Sequence, residues 1–175
     1  MSKCKIVYSY DTLRKLVIDL KSNGKRIGIT HGAFDLFHYS HLDLLQQSSS
    51  VCDFLIVGVD SDTSVSSYKT YKRPIVEERK RLKIINELDC VDAVFIKSTP
   101  FEQEAHIEFY KELLVDIITI GPRFEFKEII QDEASSVGAK LIELDIHQDP
   151  STTSIINKIL TNYSSTGLRN VPKER

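Results

Sequence analysis

Apolar residues along this chain fall first at helical spacing and then in unbroken runs, and the two patterns alternate to its end. Over 11–22, DTLRKLVIDLKS, Leu13, Leu16, Val17 and Leu20 recur at helical spacing, with Asp11 as the expected N-cap. Asn23-Gly24 ends that helix, and 26–30 reads as a short strand. A turn containing glycine then leads to a helix from about residue 40. The run FLIVGV, 54–59, shows no alternation, which marks a parallel strand buried on both faces. A helix over 77–88 precedes a strand at 93–96. Helix 101–113 precedes strand 116–120, helix 125–137 precedes strand 140–144, and a last helix starts at about 151.

Strands and helices alternating at these lengths imply right-handed crossovers. The expected class is α/β: a Rossmann-like, doubly wound, parallel five-stranded sheet with helices on both faces. Ligands in such sheets sit beyond the carboxyl ends of the strands, where the strand order changes direction. No internal repeat or linker interrupts the pattern. Residues 1–163 therefore read as a single domain, and 164–175, SSTGLRNVPKER, as a polar C-terminal tail. The polar stretch 61–72, SDTSVSSYKTYK, reads as a loop over the sheet edge, placed where a lid would be.

A length of 175 residues suits one such domain, and 41% hydrophobic residues supply its core. The net charge of -2 gives no broad electrostatic footprint for nucleic acid or an anionic membrane, so a phosphate site has to be local. Cys4, Cys52 and Cys90 are odd in number and lack CxxC spacing. That argues against a disulfide framework or a zinc ribbon and for a reducing compartment. Cys52 and Cys90 read as buried small hydrophobes. No apolar stretch approaches a membrane span, and the first residues lack the apolar core of a signal peptide. A cytoplasmic protein is expected.

Chemistry concentrates in GAFDLFHYSH, residues 32–41, between the first strand and the next helix. His38 and His41 are three apart and share one face of a first helical turn. Backbone N–H groups at that helix start meet phosphate oxygens, and the helix dipole favours an anion there. Gly32 removes a side chain where the backbone has to approach a ligand. Two imidazoles beside exposed amides form a donor-rich pocket, suited to charge developing on a phosphorus centre between attacking and leaving oxygens. Zinc ligation by the same pair would want a third ligand, and none has suitable spacing.

On these residues the segment resembles the HxGH signature of the nucleotidyltransferase superfamily. The members it most resembles are glycerol-3-phosphate cytidylyltransferase and the adenylyltransferase domain of bifunctional heptose-phosphate enzymes. The resemblance continues through FLIVGVDSDTSV (54–65), Lys69, RPIVEERKR (73–81), CVDAVFI (90–96) and STTSII (151–156). It implies that His38 and His41 contact a triphosphate and stabilise the transition state. It implies that Gly32, Ala33 and Phe34 lie along the nucleotide while Asp35 shapes the loop. Lys69 is implied to reach phosphates, and Arg81 matches the arginine of the family's ERxxxL helix, so both count as catalytic. Ser151, Thr152 and Thr153 are implied to bind phosphate oxygens at a helix start, and Gly121 to lie beside the base. The implied reaction moves CMP or AMP from CTP or ATP to a phosphorylated polyol or sugar. The acceptor's phosphate oxygen attacks the α-phosphorus in line, and pyrophosphate leaves without a covalent enzyme intermediate. Magnesium, a homodimer and a place in polysaccharide precursor synthesis follow from the resemblance alone. No residue is singled out as a metal ligand.

The chain departs from that pattern at three places. Ser40 stands where the signature usually has Gly; it would serve as an N-cap yet crowd the phosphates. Ile120-Gly121-Pro122-Arg123 stands where the heptose-type enzymes carry Lys-Gly-Gly-Asp, so an acceptor with an extra negative charge near Arg123 is expected, unless Arg123 points to solvent. Ile146 stands five residues before Ser151, where cytidylyltransferases usually carry arginine. That absence and the N-terminal helix lean toward the heptose-type branch, and the choice between CTP and ATP stays open. His106 reads as a solvated residue of a surface helix. His147 reads as a loop residue or a substrate contact, and Arg73 as a solvated charge or a functional one. Neither GxGxxG after the first strand nor GxxxxGK[ST] is present, against a dinucleotide-binding oxidoreductase and a P-loop kinase. The alternative kept is a nucleotide-binding regulatory domain with the same fold and no turnover.

Overall fold

The computed structural model describes residues 10–98, 103–122, 126–147 and 150–163. The unbroken apolar runs become strands: β1 (Ile27–Gly32), β2 (Phe54–Asp60), β3 (Ala93–Lys97), β4 (Ile117–Ile120) and β5 (Lys140–Glu143). They form one sheet in the order β3-β2-β1-β4-β5, every pairing parallel. β1 pairs along its whole length with β2, from Ile27 opposite Phe54 to Gly32 opposite Val59. The order reverses between β1 and β4, so the crevice of this architecture opens beyond their carboxyl ends.

The helices are α1 (Tyr10–Ser22), α2 (Tyr39–Ser50), α3 (Asp62–Tyr68), α4 (Glu78–Asn86), α5 (Gln103–Glu112), α6 (Lys127–Val137) and α7 (Thr152–Tyr163). Leu13 and Val17 of α1, Phe109, Tyr110 and Leu113 around α5, and Ile130 and Ala134 of α6 bury Ile27, Ile29, Ile56 and Ile118 from one side. Leu45 of α2 and Leu82 and Ile85 of α4 bury Leu55, Val57, Val59 and Val94 from the other. The doubly wound α/β sheet expected from the pattern is thus borne out. Half-buried Cys52 and Cys90 pack against the second of these cores. At the opposite end of the sheet, carboxylates hold strand starts: Asp116 accepts from the Ile27 amide at 2.7 Å and Asp92 from the Leu55 amide at 2.9 Å.

Several local expectations change. The stretch 61–72 is not simply a loop, because its first part folds as α3. Ser61 caps that helix by accepting from the Ser64 amide at 3.1 Å, and Val65 is buried beneath it. Asp11 lies inside the first turn of α1, which begins by Tyr10. His106 is not solvated. Its face of α5 turns toward α6, leaving the residue 1% exposed with Nδ1 3.3 Å from Glu133 Oε1. Helical spacing cannot show this, since a polar side chain on an inward face looks like one on an outward face until its partner on another helix is known.

Candidate active site

The turn between β1 and α2 is held in a costly shape. Phe34 and Leu36 both take left-handed backbone, at φ 49° and 46°, which bulky residues rarely adopt and which persists only where the surroundings enforce it. Two anchors do so. Phe34 is buried in the second core at 3% exposure. Asp35, between the two, accepts from Arg73 Nε at 2.7 Å, the Ile75 amide at 2.9 Å and the Val76 amide at 2.9 Å. Burial alone would push the Asp35 carboxyl up. The amides of Ile75 and Val76 and the Arg73 guanidinium outweigh it and hold the group below the usual carboxylate range. Asp35 therefore shapes the loop by tying it to the segment before α4.

That turn delivers the two histidines. His38 is the N-cap of α2, in extended backbone and without a side-chain bond to the first amides. His41 follows one turn later, and the two rings stack with centroids 3.8 Å apart and planes at 23°. Phe34 and Phe37 flank the His41 ring at 5.4 and 5.6 Å. The Nδ1 atoms of both are buried without a hydrogen-bond partner. Burial lowers the His38 pKa, and burial together with the neighbouring His38 lowers that of His41 to about 3. Both rings are neutral at pH 7, each carrying one N–H.

A second helix start faces the same cleft. Ser151 Oγ accepts from the Ser154 amide at 3.1 Å ahead of α7, and Thr152 Oγ1 donates to the Asp35 carbonyl at 2.7 Å. Ser40 is not the N-cap of α2; it lies one residue inside the helix, and its hydroxyl donates to the Pro150 carbonyl at 2.8 Å. These two bonds clasp the histidine turn to the α7 start. Ser40 is 6% exposed, and the bond to Pro150 occupies the side chain expected to crowd the phosphates. Ser40→Ala is accordingly expected to cost about 0.5–1.5 kcal/mol of stability, the net value of one hydrogen bond, without tightening triphosphate binding. A lower Kd in titration calorimetry would show that the serine does obstruct the site.

The cleft between these elements has a volume of about 370 Å³, within the usual range for small-molecule sites. Gly32, Ala33, Phe34, Asp35, His38 and His41 form one wall, Ser151, Thr152 and Thr153 another, and Lys69 and Arg73 reach it from beyond α3. The structure thus brings together most of the residues picked out from the sequence. Arg81 is a correction. It is 1% exposed and does not line the cleft, because four acceptors engage its guanidinium: Val76 O at 2.8 Å, Asp60 O at 2.8 Å, Asp62 Oδ1 at 2.8 Å and the Ala33 carbonyl. Through these four bonds it ties the segments that form the wall to one another. Gly121, expected beside the base, is not among the residues that line the cleft; a Cβ there would stand 3.2 Å from Ile146 Cδ1. His147 is 71% exposed in its side chain and bonds Asp43 Oδ2 at 3.0 Å through Nδ1. Arg123 lies outside the described residues.

Five cleft residues escaped the sequence reading, apolar Leu44 and Phe126 and the polar or aromatic His31, Asp60 and Tyr68. His31 and Asp60 stand at the carboxyl ends of β1 and β2, and the rule that ligands gather at strand ends would have flagged both.

Residues 29–171 match the family model described as cytidylyltransferase-like. The bifunctional protein HldE of Pelobacter propionicus is 35% identical over 155 residues, 88% of this chain and 31% of that protein. HldE of Helicobacter pylori is 38% identical over 147 residues, 84% of this chain and 30% of that protein. The chain therefore spans a little under a third of the length of these curated relatives. Among solved structures, a lipopolysaccharide core biosynthesis protein from Thermoplasma volcanium superposes with a TM-score of 0.60 at 27% identity, over 71% of this chain and all of that one. Pantoate-beta-alanine ligase from Francisella tularensis shares the fold alone, with a TM-score of 0.64 at 12% identity over 93% of this chain and 79% of that one. The resemblance to the nucleotidyltransferase superfamily is borne out at the level of the family, and the chain belongs to the cytidylyltransferase-like family.

Proposed function

We propose that this chain is a nucleotidyltransferase that moves CMP or AMP from CTP or ATP to a phosphorylated sugar or polyol. The observation that carries the reading is the convergence of two helix starts, α2 and α7, on one cleft with two stacked, neutral imidazoles between them. First-turn amides without helical partners, the helix dipoles and imidazole N–H groups are all donors, and a triphosphate is the ligand that uses them together. The triphosphate lies across the α2 and α7 starts, with the α-phosphorus at the His38–His41 pair. The acceptor's phosphate oxygen attacks it in line as the bond to pyrophosphate breaks. Lys69 and the pair offset the charge that develops, and positioning supplies much of the remaining rate. HldE relatives and the lipopolysaccharide protein support a sugar phosphate as acceptor.

Among the described residues no three His, Cys, Asp or Glu side chains converge as a metal site, and the Asp35 carboxylate already accepts from three donors. A magnesium ion would then be held mainly by triphosphate oxygens rather than by the chain's own carboxylates, and it would neutralise phosphate charge. No helix among the described residues is long and apolar enough to cross a membrane, which agrees with a cytoplasmic enzyme; the homodimer rests on the family resemblance alone.

Pyrophosphate release with magnesium, assayed for CTP and ATP against sugar and polyol phosphates, tests the reading. Turnover with one pair is expected. Triphosphate binding without turnover against any acceptor would make the chain a nucleotide-binding regulatory domain instead.

A further inference from the structure

On the α5–α6 side of the sheet, the strand ends below the cleft carry buried polar side chains that the phosphate chemistry leaves unused. Asp60 of β2 pairs in register with Lys97 of β3. Gly58 opens the face between β1 and β3: a Cβ there would lie 3.2 Å from His31 Cβ and 3.5 Å from Lys97 Cβ. His31 Nε2 is 3.0 Å from the Tyr110 hydroxyl, and its ring is 5.5 Å from that of His106, whose Nδ1 approaches Glu133. Of this network His31, Asp60 and Tyr68 reach the cleft, beside Lys69.

Asp60 is its focus. The residue is 5% exposed. Its Oδ2 accepts from the Tyr68 hydroxyl at 2.7 Å, while its Oδ1 stands 3.7 Å from Lys97 Nζ and makes no hydrogen bond. Burying a lysine and two carboxylates is costly, and a floor of purely structural purpose would be made of apolar side chains. Oδ1 is sealed from the cleft and its charge is met by Lys97, so the oxygen that a cleft ligand can reach is Oδ2, by taking the place of the Tyr68 hydroxyl that now donates to it. Lys97 behind the carboxylate disfavours a cationic donor, and the donor it already accepts from, the Tyr68 hydroxyl, makes a neutral hydroxyl the group that fits. Tyr68 closes over the carboxylate from the end of α3, so its own hydroxyl marks the place such a group takes.

We propose that Asp60, oriented by Lys97 and Tyr68, is the specificity-determining residue for the acceptor, and that it accepts a hydrogen bond from a hydroxyl of a polyhydroxylated phosphate ester. The assignment rests on the nucleotidyl-transfer reading only for calling that ester the acceptor. His31, held neutral by burial and by Lys97, adds an uncharged polar edge beside it.

Titration calorimetry on the full chain, with a magnesium–triphosphate analogue bound, compares glucose 1-phosphate and glycerol 3-phosphate with propyl phosphate, which has a phosphate of the same charge and no hydroxyl. The wild type is expected to prefer a hydroxylated ester by about tenfold, the scale of one hydrogen bond to a charged acceptor. Asp60→Asn is expected to lose that preference and to bind the triphosphate as the wild type does. If Asp60→Asn does not fold, Asp60→Asn/Lys97→Met, which removes the partner charge as well, carries the same comparison. The inference is overturned if the wild type binds propyl phosphate equally well, if it binds none of the three, or if the variant keeps the preference. Weakened triphosphate binding in the variant overturns it too, and assigns Asp60 to the nucleotide or its metal. Pyrophosphate release is read separately: hydroxyl preference without release sinks nucleotidyl transfer and leaves the Asp60 assignment standing.

Discussion

Arg81→Met is expected to cost about 3–5 kcal/mol of folding stability, the usual penalty for removing one partner of a buried charged network, and to abolish most nucleotidyl transfer. The guanidinium joins four segments at once: the turn before α4 through Val76 O, the histidine loop through Ala33 O, the end of β2 through Asp60 O, and α3 through Asp62. Asp62 is engaged further, because its Oδ1 accepts from the Glu78 amide at 2.9 Å while Glu78 Oε2 accepts from the Asp62 amide at 2.7 Å. Methionine fills much of the volume and satisfies none of these acceptors, so each carbonyl is left buried and unpaired. For a chain of this size the loss corresponds to roughly 6–20 °C in Tm. Arg81→Lys separates charge from geometry, since one ammonium cannot reproduce a planar fork serving four acceptors. A lysine variant with wild-type Tm and kcat/KM would show that the network matters little.

Arg81 also marks the boundary of what the sequence makes legible. Its position in an ERxxxL helix pointed to importance, but importance at a site and contact with a ligand look alike in a motif. Only the four acceptors around its guanidinium separate them. The sheet was readable because a parallel strand buried on both faces leaves a continuous apolar run, as 54–59 does, and no solvent-facing element imitates it. Helix α3 was not readable, because its stretch is polar and it is fixed by contacts its own sequence does not display: the Ser61 cap, buried Val65 and the Tyr68–Asp60 bond. The polar network of His31, Lys97, His106 and Glu133 was hidden for the same reason. Its members lie on four different elements, and only folding places them together. His38, His41 and the STT run could be found because two separate helix starts each carry their chemistry within a few consecutive residues.

His38→Ala and His41→Ala are each expected to lower kcat by about 100–1,000-fold, the loss seen when one preorganised donor to developing charge is removed. With rings stacked 3.8 Å apart, the two act as a unit, so the double variant is expected to be little worse than either single one. Stability should move with pH in a defined direction. The His41 pKa falls from 6.5 to about 3 in the folded chain, through burial first and the neighbouring His38 second. Between those values the unfolded chain binds the extra proton, so the His41 contribution is fully present above pH 6.5 and is lost as pH falls toward 3. His41→Ala removes that term. Chemical denaturation at pH 7 and pH 5 should therefore show a smaller acid-side loss for the variant than for the wild type. Equal losses would mean that His41 titrates normally and is open to solvent. In that case a charged imidazolium would already await the triphosphate at mildly acid pH, and the neutral stacked pair would not be the donor set that meets the α-phosphate. Unequal losses together with the fall in kcat would tie both effects to one feature, a pair of imidazoles kept neutral by burial until a polyanion arrives to be bonded by them.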